Sequence, residues 1–140
     1  MNFLLKNMDY IKNKKRHFFD IISLPIIFSV FIPMAIFDIW IEIYHRTCFV
    51  LYKLRYVKRS DYIKIDRQKL NYLKWYQKIG CVYCGYANGL AGYWTAIAGQ
   101  TEQYWCGIMH KQSRGFHSPE HHKDFAKYGD KEEFIDKYIK

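Results

Sequence analysis

The fold is decided by IISLPIIFSVFIPMAIF, residues 21–37, a run without any charge that lies between Asp20 and Asp38. A helix needs about 20 mostly apolar residues to cross the hydrocarbon core of a bilayer, so this run must continue past Asp38 to cross. Pro25 and Pro33 each remove a backbone donor and bend a helix. We therefore predict a bent N-terminal membrane helix, either re-entrant or spanning the bilayer once.

Basic residues flank this run equally on its two sides. Five precede it and five follow it: Lys6, Lys12, Lys14, Lys15 and Arg16, then Arg46, Lys53, Arg55, Lys58 and Arg59. Because Lys and Arg accumulate on the cytoplasmic side, a clean crossing predicts an unequal distribution. The equal distribution of basic residues favours a re-entrant segment with both flanks at an anionic membrane surface. A tilted single span and a buried core helix are the alternatives.

The composition is that of a single folded domain with an anionic partner. The chain has 140 residues, 50% of them hydrophobic and 19% aromatic, which excludes general disorder. A net charge of +9 suits either phospholipid head groups or nucleic acid. Basic and aromatic residues interleave from Tyr52 to Arg59, as in nucleic-acid surfaces. Since this cluster follows the apolar run, we expect an anionic phospholipid membrane rather than nucleic acid.

In the rest of the chain apolar residues recur mainly at helical spacing. The predicted fold class is therefore mainly α with little strand. We expect a basic interfacial arm over residues 1–19, a membrane-inserted and juxtamembrane helix over 20–57, and a small helical metal-binding domain over 58–140.

Within this last part, the pattern predicts four elements and a loop. Residues 60–67 alternate as one short strand or extended connector, and Gly80 is a stop signal for the helix that follows. A helix is expected from Asn88 to about Lys111, and a last one from about Lys131 with Asp130 as its cap. The stripe formed by Gly89, Gly92, Ala96 and Gly99 predicts close approach of another helix. Residues 112–122 are expected to form a loop.

Three of the four cysteines combine with a histidine in a metal-binding pattern. Cys81 and Cys84 form C-x2-C, and Cys106 with His110 forms C-x3-H. Three sulfurs and one imidazole suit tetrahedral zinc, and would equally accept iron or an iron–sulfur cluster. A redox dithiol and plain core packing of free cysteines remain alternatives. Cys48 is expected only to pack.

Glu102 precedes Cys106 and His110 by one and two helical turns, so the three share a helix face. It would either orient the imidazole or serve as a ligand itself. His117, His121 and His122 follow in the predicted loop, and any of them would complete a site, with His117 preferred. The spacing of Glu42 and His45 occurs in di-iron bundles, but those need a second copy, which the sequence does not contain.

Several of these segments are similar to an uncharacterised family of small bacterial membrane-associated proteins. The shared motifs are CxYCxYANG at residues 81–89, TEQYWC-x3-H at 101–110, a later histidine at His117, and YGD at 128–130. The resemblance implies a common site for Cys81, Cys84, Cys106 and His110, and it implies no activity. The chain departs from the family pattern at Gly107 and Met109, where Pro and Lys are expected.

Together these features predict a membrane-anchored metal-binding protein at the cytoplasmic face of a bacterial inner membrane. Its site would hold structural zinc or redox iron, in an accessory or electron-transfer component, alone or in a larger membrane complex. An alternative is a membrane-interface enzyme of lipid or head-group chemistry that uses Asp38, Glu42 or His45. Another is a metal-free adaptor subunit.

Overall fold

A computed structural model describes residues 17–140, apart from the side chains of His17 and Asp20. The predicted arm over residues 1–19 therefore lies almost entirely outside the described residues. The described chain is mainly helical, as predicted, and its β pairing is an isolated parallel bridge between Ile108 and Ala126. The α-helices are α1 (His17–Ser29), α2 (Phe31–Leu51), α3 (Arg59–Tyr62), α4 (Trp75–Trp105) and α5 (Lys131–Tyr138), with 3-10 turns at Arg67–Lys69 and Glu120–Asp124.

The apolar N-terminal helix is interrupted at Val30, between α1 and α2. Pro33 is the third residue of α2, and its ring removes the N–H that would otherwise bond the carbonyl of Ser29. Val30 instead donates to the carbonyl of Ile27, a tighter i−3 bond of 3.3 Å. Pro25 lies inside α1, where it removes a second donor. The predicted bend thus has its structural counterpart in this interruption.

The helical segment from Ile21 to Leu51 is long and apolar enough to cross a membrane. Its most apolar window has a mean hydropathy of 2.2, and none of that window is buried. Its 31 residues exceed the about 20 that a helix needs to cross a hydrocarbon core. Signal sequences meet the same length and composition criteria. The expectation of a buried core helix does not fit this exposure.

The chain divides into two compact units, residues 1–42 and 43–140. The division falls inside α2, whereas the sequence placed it at 57/58. The reason is that the last turns of α2 belong to the core of the second unit, to which they contribute His45 and Phe49. Other buried members of that core are Val57, Leu90, Tyr93, Ile97, Phe125 and Ala126.

Helix α4 is the central element of the second unit, and it runs without a break through Gly80. Gly80 keeps a negative φ and no proline follows it within α4, so the predicted stop does not occur. The predicted strand at residues 60–67 is also absent: α3 occupies its start, and an extended connector follows. This connector, rather than another helix, uses the small-residue stripe, because a Cβ on Gly89 would lie 2.7 Å from the Cα of Ile63.

The last part of the chain folds back along the C-terminal end of α4. Ala126 donates to the carbonyl of Gly107 at 2.6 Å, and Met109 donates to the carbonyl of Ala126 at 2.8 Å. These two bonds form the parallel bridge and align the segment after α4 with the 3-10 turn Glu120–Asp124. Helix α5 starts where the sequence predicts, since Asp130 Oδ1 accepts the backbone N–H of Glu133 at 2.9 Å.

Candidate metal centre

The structure does not bring the four predicted ligands together. Cys81 and Cys84 lie within α4, whereas Cys106 follows its last residue and His110 lies four residues further on. Because α4 is continuous, Cys84 and Cys106 are separated by about 33 Å along the helix axis. Ligand atoms of one zinc ion lie only about 2.0–2.3 Å from it. All four cysteines are free thiols, and Cys84 and Cys106 are exposed.

A different cluster forms at the C-terminal end of α4, where Glu102, His121 and His122 converge. The Nε2 atom of His121 lies 2.7 Å from Glu102 Oε2, and that of His122 lies 3.1 Å from Glu102 Oε1. One ligand atom from each of the three residues lies within 4.8 Å of the others. Among residues 17–140, the described part of the chain, this is the one group of three or more possible metal ligands whose ligand atoms lie this close together.

Local structure explains how each side chain reaches the cluster. Glu102 is in the last turn of α4, and the two histidines are consecutive in the 3-10 turn Glu120–Asp124. The imidazole of His121 packs directly over Gly99, whose added Cβ would lie 3.2 Å from His121 Nδ1. The ring of His122 stacks on Phe125 with a centroid distance of 4.8 Å, and its side chain is only 1% exposed. Small and aromatic neighbours therefore fix both rings.

His110 lies at the edge of the cluster and His117 lies outside it. The bridge between Ile108 and Ala126 carries His110 alongside the 3-10 turn, so its Nε2 reaches 3.8 Å from Glu102 Oε1. His117 is exposed and belongs to no ligand group among the residues that the structure describes. Of the predicted candidates, the fold thus places Glu102 and His110 near each other.

The cluster favours a charged carboxylate. The hydrogen bond from His121 lowers the pKa of Glu102 below its ordinary value of 4.5, with a smaller contribution from His122, while partial burial opposes both. A carboxylate only accepts hydrogen bonds, so both Nε2 atoms carry a proton in this arrangement. The Nδ1 atom of His122 is buried and has no hydrogen-bond partner within the described chain.

Two imidazoles and one carboxylate are a donor set with a defined metal chemistry. Two His and one Glu hold catalytic zinc in several hydrolases, and two His with one carboxylate on one face hold non-haem Fe(II). In both cases three protein ligands leave at least one coordination position for another ligand. Each imidazole can bind such an ion through Nε2 only after the Nε2 proton moves to Nδ1 or leaves the ring.

A shallow groove of about 610 Å³ begins at the cluster and follows α4 toward Tyr62. Glu102 and His121 line one end of it, and Gly92, Ala96 and Gly99 form part of its floor. The small residues of the predicted stripe therefore leave open space here, whereas at Gly89 the connector fills it.

The sequence named His121 and His122 only as alternatives to His117 for completing a site, and it did not pair them with Glu102. Helical spacing ties Glu102 to Cys106 and His110, but consecutive histidines in a 3-10 turn have no such spacing to Glu102. The available signal was His-His after Pro119 and Glu120, a start typical of a short helical turn.

Comparisons of the chain with protein-family models, with curated protein sequences and with solved structures gave no match.

Proposed function

We propose that this protein is a membrane-anchored metal-binding protein whose ion is held by Glu102, His121 and His122. The observation that carries the proposal is the convergence of three ligand atoms within 4.8 Å on elements that lie 19 and 20 positions apart in sequence. Burial of the His122 imidazole costs free energy that its bond to Glu102 offsets in part, and a bound ion would offset more of it.

The donor set narrows the choice of ion to mononuclear zinc or iron. Imidazole and carboxylate ligands suit Zn²⁺ and Fe²⁺, whereas Ca²⁺ and Mg²⁺ prefer oxygen ligands alone. An iron–sulfur cluster needs thiolate ligands, which this group lacks. The ion would brace the fold or take part in redox chemistry, as an accessory or electron-transfer component requires.

The exposed apolar helical segment supports attachment to a membrane. Fifteen large apolar residues between Phe18 and Trp40 are solvent-exposed in the protein alone, a surface that water does not favour and lipid does. The excess of Lys and Arg supports an anionic phospholipid surface, and the family resemblance supports the inner membrane of a bacterium. Cytoplasmic orientation follows from the basic flanks.

Metal analysis of the full-length protein in detergent tests the site. We expect one equivalent of zinc or iron, which Glu102→Gln abolishes. Glu120→Gln is the matched control. Glu120 is an exposed glutamate directly before the two histidines, and it accepts a hydrogen bond from Lys123 rather than from either imidazole. The double variant Cys81→Ser, Cys84→Ser should keep the ion.

Two results would contradict the proposal. Loss of the ion in the cysteine variant with retention in Glu102→Gln would return the site to the C-x2-C motif. Absence of metal from the wild-type protein, even after incubation with Zn²⁺ and with Fe²⁺ under anaerobic conditions, would favour a metal-free adaptor.

The groove beside Glu102 and His121 favours one second candidate, a membrane-interface enzyme. An ion with an open coordination position at the end of an apolar groove would bind and polarise a lipid or head-group carbonyl or phosphoryl oxygen. The coordination number of the bound ion separates this candidate from a structural site. His45 is less suitable for such a role, because its side chain is fully buried.

A further inference from the structure

The three ligands of the proposed site leave one vertex of a tetrahedron to be filled. With ion–ligand bonds of about 2.0–2.1 Å, the ligand atoms of tetrahedral zinc lie about 3.3 Å from one another. His121 Nε2 lies 2.7 Å from Glu102 Oε2 and His122 Nε2 lies 3.1 Å from Glu102 Oε1, so each imidazole is within this edge length of one carboxylate oxygen. A fourth donor at a similar distance would close the coordination shell.

His110 presents such a donor. Its Nε2 lies 3.8 Å from Glu102 Oε1, but its ligand atoms are not within 4.8 Å of those of all three other residues, so its side chain must turn toward the cluster to bind the same ion. The centroid of its ring lies 5.5 Å from that of His122. The ring of Phe116 packs edge-on against it, with a centroid distance of 5.7 Å.

The backbone permits the movement and limits it. Met109, the preceding residue, is held by its N–H bond to the carbonyl of Ala126, which fixes where the segment passes the 3-10 turn. The side chain of His110 is 65% exposed, so little packing opposes a change of its rotamer. The backbone beside His110 is thus held in place while its side chain can change rotamer, so His110 can become a ligand at a small cost in free energy.

We infer that His110 is the fourth ligand, and that the protein binds Zn²⁺ in a closed His3Glu tetrahedron without an open position. This inference rests on the proposed function and adds to it the identity of the ion and its role. Closed four-coordinate zinc sites are structural, whereas catalytic ones keep a position for water or substrate. The ion then ties the end of α4, the segment after it and the 3-10 turn into one unit.

Coordination in the full-length protein tests the inference. We expect X-ray absorption of the Zn²⁺ form in detergent to give four N/O ligands with three imidazoles, and Co²⁺ substitution to give the intense visible bands of a tetrahedral ion without a thiolate charge-transfer band. His110→Ala should remove one imidazole. Since loss of a partner that merely orients a ligand weakens affinity 10–100-fold, loss of His110 should weaken Zn²⁺ binding by at least about 100-fold.

His117→Ala is the matched control. His117 is an exposed histidine of the same segment, and the fold places it outside the cluster. We expect this variant to bind Zn²⁺ with wild-type affinity and an unchanged imidazole count. The reverse pattern, with His117 required and His110 dispensable, would overturn the inference.

Limited trypsin digestion gives a second readout that does not depend on spectroscopy. Lys111 and Arg114 are exposed in the segment that His110 would tether. Zn²⁺ should slow cleavage at both in the wild-type protein and in His117→Ala, but not in His110→Ala. Equal protection in all three proteins would contradict the inference, because His110 would then contribute no tether.

Failure of the inference is distinguishable from failure of the proposed function. If the wild-type protein binds no Zn²⁺, the metal-binding function itself fails. If it binds Zn²⁺ and His110→Ala binds it equally tightly with the same number of imidazoles, only the closed site fails. Five- or six-coordinate Co²⁺ in the wild-type protein also overturns the closed site, and it favours the interface enzyme.

Discussion

His45 is a fully buried residue with both ring nitrogens in use. Its Nε2 accepts the backbone N–H of Val57 at 3.2 Å, so this nitrogen carries no proton. A neutral imidazole then has its proton on Nδ1, which lies 2.9 Å from the hydroxyl oxygen of Tyr93 and donates to it. The ring also stacks on Tyr56 at 4.2 Å. His45 therefore joins α2, the connection after it and α4.

Replacing this imidazole by a ring of similar size should destabilise the protein without creating a large cavity. His45→Phe leaves the N–H of Val57 and the hydroxyl of Tyr93 without their buried partner, and each unsatisfied group costs about 1–3 kcal/mol. We expect the free energy of unfolding, measured by urea denaturation in detergent, to fall by about 2–6 kcal/mol in total. His117→Phe, at an exposed position, should change it little. A loss below about 0.5 kcal/mol, the usual scatter of surface changes, would show that the two bonds are unimportant.

Only some residues of the candidate site could be predicted from the sequence. Glu102 and His110 were predicted to share a face of a helix that continues to about Lys111, but α4 ends at Trp105 and the bridge between Ile108 and Ala126 brings His110 near Glu102 instead. Cys81 and Cys84 were joined to them because their spacing suits a metal, but spacing alone does not reveal whether a turn or a helix separates two motifs. His121 and His122 reach Glu102 through a 3-10 turn and a single bridge, and neither has a periodic signature in sequence.

At the scale of elements, α4 depends on glycine at particular positions. A Cβ on Gly89 would lie 2.8 Å from the carbonyl oxygen of Tyr62 and equally close to the backbone of Ile63. Backbone atoms do not move aside as a flexible side chain does. Around Gly80, by contrast, no atom lies within 4 Å of an added Cβ among the residues described.

These two glycines make a matched pair of substitutions. Gly89→Ala should destabilise the second unit by about 1–3 kcal/mol, because the connector must move away from α4. Gly80→Ala should stabilise it by about 0.5–1 kcal/mol, since alanine favours a helix and meets no neighbour. Urea denaturation followed by helical circular dichroism measures both. Equal effects of the same sign would mean that the connector does not pack on α4 as described.

Helix α5 is attached through a charged pair that depends on pH. Glu133 accepts hydrogen bonds from Lys137 Nζ at 2.8 Å and from the backbone N–H of Lys127 at 3.0 Å. The bond from Lys137 is the main reason that the pKa of Glu133 lies below its ordinary value of 4.5. Lys137 also donates to the carbonyl of Phe125, so the pair connects α5 to the residues beside His122.

A carboxyl group whose pKa is lowered by folding stabilises the folded state above its ordinary pKa, and this contribution is lost as the pH falls through the lowered value. We therefore expect Glu133→Gln to be less stable than the wild-type protein at neutral pH, with the difference shrinking as the pH falls below 4.5. Glu132→Gln, one residue away, should show no such convergence. A difference between wild type and Glu133→Gln that stays constant with pH would contradict this role.

Element types were predictable where local signals agree. The helical class, the interruption near Pro33 and the cap at Asp130 all follow from local chemistry, and the structure has them. For residues 60–67 the sequence left open a short strand or an extended connector, and the structure has a helical turn followed by the connector, because alternation of apolar residues also describes an extended segment that packs on one helix. The stop at Gly80 was wrong, because Gly80 keeps a negative φ inside α4, whereas the glycines with a positive φ, Gly115 and Gly129, lie in turns.

At the scale of the whole molecule, the exposed apolar segment should determine where the protein resides. Ile26 and Ile36 are 66% and 65% exposed, and a charge at such a position inside a bilayer costs about 2.5–3.5 kcal/mol. We expect flotation with anionic liposomes to be lost on changing both residues to Lys. Ile139→Lys is the control, since this isoleucine is 67% exposed but lies in the C-terminal unit. Flotation of the double variant at the wild-type level would argue against insertion of this segment.

Because α4 is unbroken, it also sets a fixed distance between residues along its length. Spin labels on Cys84 and Cys106, in a protein whose other two cysteines are serine, would be separated by about 33 Å of rigid rod plus the reach of the two labels. A dipolar distance distribution with one narrow maximum near that value is what a straight rod produces. A maximum at half that length or less would mean a hairpin in place of the rod, and would restore the thiolates as neighbours of His110.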